Sequence, residues 1–213
     1  GTLPFGPVVD GETYPASVEA ALASGVGADK ELLVGATLEE FGLFFASHVE
    51  MFDGIDPLEA LTLLGADAET AKDYAAVLSD LPTALVSGRW ITDVMFRRRI
   101  IDWVRLRGAA PTWVYDFTWR SAVSGASEHC LDVPFAFDVL DDPDVERVAG
   151  AHAPQALADR VHAAYVAFIR DAHPGWERAH QEELRAAVFD TAPDTTDGYD
   201  STRVLARAMG GSR

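Results

Sequence analysis

Apolar residues are concentrated in a few short runs that are typical of buried β-strands. Residues 31–37 are mostly apolar up to Thr37, and residues 112–119 are dominated by aromatic residues and valine. A further short apolar run covers residues 186–190. Continuous apolar strands are characteristic of parallel sheets that are covered on both faces. The pattern therefore predicts two clear strands and a last short one at 186–190.

Between these runs, apolar residues recur at the spacing of amphipathic helices. The strongest example is residues 155–172, where Leu157, Val161, Phe168 and Ala172 lie near one face. Helices are also predicted over residues 15–25, 56–80 and about 92–106, with a final helix or tail at 201–209 and a loop at 121–137. Asp93 is the predicted N-cap of the helix from about residue 92, and Arg97, Arg98 and Arg99 are interpreted as a solvated surface. Helices that separate short apolar strands indicate an α/β fold with a mostly parallel sheet.

Composition and charge narrow the function. The 213 residues suit one domain, or at most two small ones, and no apolar run approaches the roughly 18 residues of a membrane span. With 34 acidic and 17 basic residues, the net charge of -17 argues against binding to nucleic acid and is interpreted as serving solubility. Cys130 is the single cysteine, so an intrachain disulfide and a cysteine zinc cluster are excluded. The compartment stays open, with the cytoplasm slightly favoured.

Two candidate catalytic residues follow the two clear strands. Glu40 comes just after the strand at 31–37, and His129 lies in the loop after the strand at 112–119. Loops at the carboxyl ends of neighbouring parallel strands lie side by side, which would bring this carboxylate and this imidazole together. Such a pair can orient an imidazole as a general base. Position alone also fits an ordinary surface histidine.

Other groups of residues are interpreted as structural. Glu39, Glu40, His48 and Glu50 do not follow a known metal-ligand spacing, so no metal is expected and they are interpreted as a solvated acidic helix face. Cys130 is interpreted as a small buried apolar residue rather than as a nucleophile paired with the adjacent histidine.

Five segments, taken in order, resemble one enzyme family. These segments are PFGPVVDGETYP, LLVGATLEEFGLFF, TWVYDFTW, HCLDVPFAF and PGWERA. Together they resemble the carboxy-terminal part of type B carboxylesterases, the para-nitrobenzyl esterase and cholinesterase-like family of α/β hydrolases. The resemblance covers nearly the whole chain. It implies an α/β-hydrolase fold of which residues 1–213 form the carboxy-terminal part.

The resemblance implies roles for two residues. Residues 35–40 match the family segment that ends in the triad acid, which assigns that role to Glu40. Residues 129–135 match the segment that begins with the triad base, which assigns that role to His129. Phe41 is expected in the wall of the substrate pocket. Two departures affect the loops: Ser127 and Glu128 both precede His129 where the family has one residue, and Phe41 stands before Gly42 where the family has glycine or a polar residue.

The nucleophile of the family is missing from this sequence. The family's G-x-S-x-G elbow precedes the acid, and no such motif occurs in the chain. Ser127 does not lie in a comparable context. We therefore expect a cofactor-free hydrolase of small carboxylic esters that is inactive without an amino-terminal part carrying the serine, and that self-associates without it. The alternatives are a non-catalytic cholinesterase-like interaction module and a truncated fragment, although retention of both Glu40 and His129 argues against the module.

Overall fold

A three-stranded parallel sheet forms the centre of the fold. The computed structural model describes residues 8–180, 184–192 and 198–210, and within them the strands are β1 (Leu32–Thr37), β2 (Thr112–Phe117) and β3 (Ala186–Phe189), in the order β1-β2-β3. All three predicted strands are therefore confirmed. The central strand β2 is buried along its whole length, which explains why aromatic residues and valine dominate it.

Helices form a layer on each face of the sheet. Tyr115 and Phe117 of β2 pack on one face against a cluster that includes Phe135, Leu157 and Val161. On the other face, Val114 packs in a cluster with residues that include Ile100, Ile101, Val104 and Tyr199. This arrangement is the predicted α/β architecture, with helices on both sides of a parallel sheet.

The helices before β2 divide more finely than predicted. They are α1 (Val18–Ala23), α2 (Gly42–Ala46), α3 (Pro57–Leu63), α4 (Ala68–Val77), α5 (Thr83–Thr92) and α6 (Arg98–Arg107), with a 3₁₀ turn at Val49–Phe52. The predicted helical segment 56–80 is two helices. Gly65 has a φ of 96°, and Asp67 caps the new helix by accepting a hydrogen bond from the Thr70 amide at 2.9 Å.

The predicted N-cap at Asp93 is wrong. Helix α5 continues through a π-helical turn, Asp93–Arg97, directly into α6. Asp93 is fully buried, and its carboxylate accepts hydrogen bonds from Tyr74 Oη at 2.6 Å, Ser201 Oγ at 2.7 Å and Thr202 Oγ1 at 2.7 Å. Burial, with Asp93 nearby, raises the pKa of Tyr74 well above its ordinary value, so this hydroxyl stays a donor.

The π-helical turn also buries Arg97, so the prediction of a solvated arginine run is wrong at this position. Its guanidinium donates to both carboxylate oxygens of Asp116 in β2, at 2.7 and 3.1 Å. It also donates to the carbonyl of Thr37 at 3.1 Å, and Nε lies 3.3 Å from Asp93. The Arg97 side chain is fully buried, whereas Arg99 is exposed, as predicted.

The helices after β2 are α7 (Asp132–Phe137), α8 (Pro143–Ala149), α9 (Gln155–Asp171) and α10 (Asp200–Gly210). The predicted helix 155–172 is confirmed as α9. The prediction of a loop over 121–137 is wrong for its last six residues, because α7 forms where Phe135 packs against Phe117 and the α9 layer. Within the described residues, no helix is both long and apolar enough to cross a lipid bilayer.

A polar contact holds the start of α7 to the sheet. Tyr115 Oη donates to Asp132 Oδ2 at 2.8 Å, and Tyr165 Oη of α9 donates to Tyr115 Oη at 3.0 Å. Burial raises the pKa of Asp132, and the negative charge of Glu40 adds to this effect, while the hydrogen bond from Tyr115 opposes it. The Asp132 carboxylate therefore favours its protonated form more in the folded protein than in the unfolded chain.

We predict that Arg97→Met destabilises the fold by about 3–5 kcal/mol, because it leaves two carboxylates buried without their cation. Urea unfolding of the purified protein measures the loss. The matched control is Arg99→Met, at an exposed ion pair with Glu19, where the change stays within about 1 kcal/mol. Equal and small effects of both substitutions would contradict the structural role given to Arg97.

We predict that the contribution of Asp132 to the free energy of unfolding decreases as pH rises. Because its pKa is raised in the folded state, the folded protein binds more protons than the unfolded chain between the ordinary aspartate pKa and the raised one. The free energy of unfolding of wild type relative to Asp132→Asn should therefore be most favourable in acid and decrease as pH rises through that window. The exposed Asp141→Asn is the control, and an equal slope for both variants would refute the prediction.

Candidate active site

The ends of β1 and β2 place two loops side by side at one edge of the sheet, as the sequence predicts. The first, the acid turn, comprises residues 38–41, and the second, the histidine loop, comprises residues 118–131. The two strands pair in parallel from Leu32 opposite Thr112 to Thr37 opposite Phe117. Both strands therefore end at the same level of the sheet.

Glu40 and His129 are in direct contact across these loops. Glu40 Oε2 is hydrogen-bonded to His129 Nδ1, and Glu40 Oε1 accepts from the Thr37 amide at 3.0 Å. The Glu40 side chain is 7% exposed, whereas that of His129 is 61% exposed. The carboxylate is thus held against the end of β1 while the ring faces outward.

This contact determines which ring nitrogen can do chemistry. A carboxylate at Nδ1 favours the tautomer that carries its proton there, so Nε2 keeps its lone pair. Across the described ranges, no hydrogen bond is made to Nε2. The arrangement can therefore accept a proton at Nε2, and the resulting positive charge would be stabilised by Glu40.

A cleft of about 260 Å³ opens beside Glu40. It is lined by Val34, Gly35, Ala36, Glu40, Met95, Phe96, Arg99, Ile100 and Trp103. Phe96 also lies next to the imidazole, with its ring centroid 5.8 Å from that of His129. Sequence reasoning did not identify Phe96 as a pocket residue, because its position depends on the π-helical turn, which leaves no clear signal in the apolar pattern.

Phe41, the residue expected in the pocket wall, is not among the residues that line this cleft. It is half-buried, its ring centroid lies 6.1 Å from that of Phe96, and its amide donates to Thr92 Oγ1 at 3.2 Å. Phe41 therefore packs against Phe96 without lining the cleft. Its assignment to a substrate pocket stays a prediction.

Ser127 and Cys130, the two other residues singled out near His129, differ in burial. Ser127 is fully buried and donates its hydroxyl proton to the Phe117 carbonyl at 2.7 Å, which does not suit a nucleophile. Cys130 is exposed, so its interpretation as a buried apolar residue is wrong. It occupies a turn with a φ of 63°, where α7 has not yet begun.

Glu39 is also placed differently from the sequence interpretation. It is buried rather than solvated, and its carboxylate binds Arg120 and the Ser127 amide. His48 and Glu50 are exposed, as interpreted. No group of three or more potential metal-binding side chains is found in the part of the chain that the structure describes.

Comparison with known proteins relates the chain to carboxylesterases. No protein-family model matches it. Over 202 residues it is 29% identical to the para-nitrobenzyl esterase of Bacillus subtilis (strain 168); the match covers 88% of this chain and 40% of that esterase. The chain thus spans less than half the length of this relative.

Solved structures show the same fold. The crystal structure of the Geobacillus stearothermophilus carboxylesterase EST55 at pH 6.2 matches with a TM-score of 0.76 and 24% identity, over 93% of this chain and 45% of that one. A para-nitrobenzyl esterase structure matches with a TM-score of 0.68 and 24% identity, over 94% of this chain and 43% of that one. The resemblance read from the sequence is confirmed: the chain has the fold of part of an α/β hydrolase and is similar to carboxylesterases.

Proposed function

We propose that this chain supplies the acid and the base of a Ser-His-Glu triad in a hydrolase of small carboxylic esters. The contact between Glu40 and His129 Nδ1, at the carboxyl ends of two adjacent parallel strands, is the observation that carries the proposal. Similarity to a para-nitrobenzyl esterase supports the ester as the substrate class.

In the proposed reaction, a serine hydroxyl attacks the ester carbonyl while His129 Nε2 accepts its proton. The imidazolium then donates this proton to the leaving alkoxide, and an acyl-enzyme remains. Water then attacks the acyl carbonyl while Nε2 accepts a proton from the water. The carboxylic acid leaves, and the imidazolium returns the proton to the serine oxygen. Glu40 holds the ring and stabilises its positive charge through both half-reactions. The chemistry uses no metal or cofactor.

The serine must come from outside this chain in the proposal, since the sequence contains no G-x-S-x-G motif. Residues 1–213 are then the carboxy-terminal part of the hydrolase domain, and an amino-terminal part is the partner. Within the described residues, β1 pairs only with β2, which leaves the other edge of β1 open to a further strand. The cleft beside Glu40 lies along β1, where an added part would also cover Phe96 and Trp103.

A non-catalytic interaction module is the second candidate, and the retention of both Glu40 and His129 argues against it. Such a module has no need of a buried carboxylate against an imidazole. The two candidates therefore differ in whether Glu40 and His129 affect ester hydrolysis.

We predict that, in the hydrolase that contains this chain, Glu40→Gln lowers kcat for p-nitrophenyl butyrate by on the order of 10⁴-fold and His129→Ala by on the order of 10⁶-fold. The loss follows because the serine is no longer deprotonated by an oriented imidazole. His180→Ala, at an exposed histidine near the start of β2 and so at the opposite end of the strand from the two loops, is the matched control and should keep full activity. Full activity in both variants would refute the proposed triad, whereas no ester hydrolysis by the wild-type protein would favour the interaction module.

We predict that residues 1–213 alone do not turn over the ester. Native mass spectrometry beside denaturing mass spectrometry shows whether a second chain accompanies the 23.0 kDa one. A fluorophosphonate probe should label a serine in that second chain and none in residues 1–213. Without the second chain we expect dimers or larger assemblies by light scattering. Turnover by the isolated chain that His129→Ala abolishes would contradict the proposal.

A further inference from the structure

The acid turn and the histidine loop are also joined by the carboxylate of Glu39, the residue before Glu40. Glu39 Oε1 accepts from Arg120 Nη2 at 2.7 Å, and Oε2 accepts from the Ser127 amide at 3.0 Å. Arg120 and Ser127 both belong to the histidine loop, and Ser127 precedes His129 by two residues. The Glu39 carboxylate is buried, so both of its oxygens are satisfied by the opposite loop.

Further hydrogen bonds hold the acid turn, the end of β2 and the histidine loop together around this junction. The Glu39 amide donates to the Ser127 carbonyl at 2.9 Å, and the Leu38 amide donates to the Phe117 carbonyl at 2.9 Å. Ser127 Oγ donates to the same Phe117 carbonyl at 2.7 Å. Arg120 Nη1 also donates to the Gly125 carbonyl at 3.2 Å, which braces the histidine loop internally.

Packing leaves this junction little room to shift. A Cβ on Gly42 would lie 2.8 Å from the Glu39 Cβ and 3.1 Å from the Ala126 Cβ. The first residue of α2 therefore packs closely on both the acid turn and the histidine loop. Since Glu39 and Glu40 are consecutive, a displacement of one moves the other relative to His129.

We infer that Glu39 is a positioning residue, whose carboxylate sets the spacing of the two loops and thereby the contact between Glu40 and His129. This inference rests on the proposed function, because it assigns Glu39 to the support of that pair. Glu39 does not touch the reacting atoms. It acts through the Ser127 amide and Arg120, the two donors that it holds.

A carboxylate is required at this position for a simple reason. Both partners of Glu39 are donors, and a carboxylate offers an acceptor at each oxygen. Glutamine has the same shape, but its amide nitrogen is a donor and would face either the Ser127 amide or Arg120. Glu39→Gln thus removes one hydrogen bond and opposes two donors, with no change in volume.

The test is the tautomer of the neutral His129 imidazole, read from the ¹⁵N chemical shifts of its ring nitrogens in the full chain. In wild type we expect the proton on Nδ1. Glu40→Gln should shift both nitrogens toward the tautomer mixture of a free imidazole. Glu39→Gln should shift them in the same direction, and the exposed Glu50→Gln should leave them at the wild-type values.

Each outcome decides between the two claims. If Glu40→Gln leaves the shifts unchanged, the acid–base pair itself is refuted, and the role of Glu39 falls with it. If Glu40→Gln moves them and Glu39→Gln does not, the proposed pair stands and the positioning role is overturned. If Glu39→Gln fails to fold, Arg120→Met, at a side chain that is 42% exposed, takes its place and should give a smaller shift in the same direction.

Discussion

The buried ion cluster around Arg97 is the constraint on which the arrangement of the site depends. Its guanidinium binds the Asp116 carboxylate in β2 and the Thr37 carbonyl at the end of β1, so one side chain joins the two strands from which both loops depart. Nε lies near Asp93, whose carboxylate also accepts three hydroxyl hydrogen bonds from α4 and α10. A buried charge is tolerated only when it is paired and hydrogen-bonded, and this cluster meets that condition for all three ions.

The candidate site is built outward from this cluster. The Thr37 carbonyl accepts a hydrogen bond from Arg97, and the Thr37 amide donates one to Glu40. The backbone of Thr37 therefore links the acid to the buried guanidinium. The π-helical turn that buries Arg97 also presents Phe96 to the cleft and to His129. Stability and the geometry proposed for catalysis therefore share the same segment, and a substitution in the turn would affect both.

Some features were accessible from the sequence because they depend on local pattern. The strands could be predicted because apolar residues dominate their short runs, and α9 could be predicted because Leu157 and Val161 recur at helical spacing. The contact between Glu40 and His129 followed from a topological rule: loops at the carboxyl ends of adjacent parallel strands meet. Helix α7 was missed because its six residues are too few to show a period, and it forms only where Phe135 finds Phe117.

By itself, the sequence determined the α/β class, the three strands, the resemblance to carboxylesterases and the two residues that the resemblance singles out. Only the tertiary structure decided which charges are buried. Asp93, Arg97 and Glu39 look like ordinary surface residues in the chain, since a charge favours water unless partners distant in sequence replace it. Those partners, Asp116 for Arg97 and Arg120 for Glu39, come within reach only when the sheet has formed.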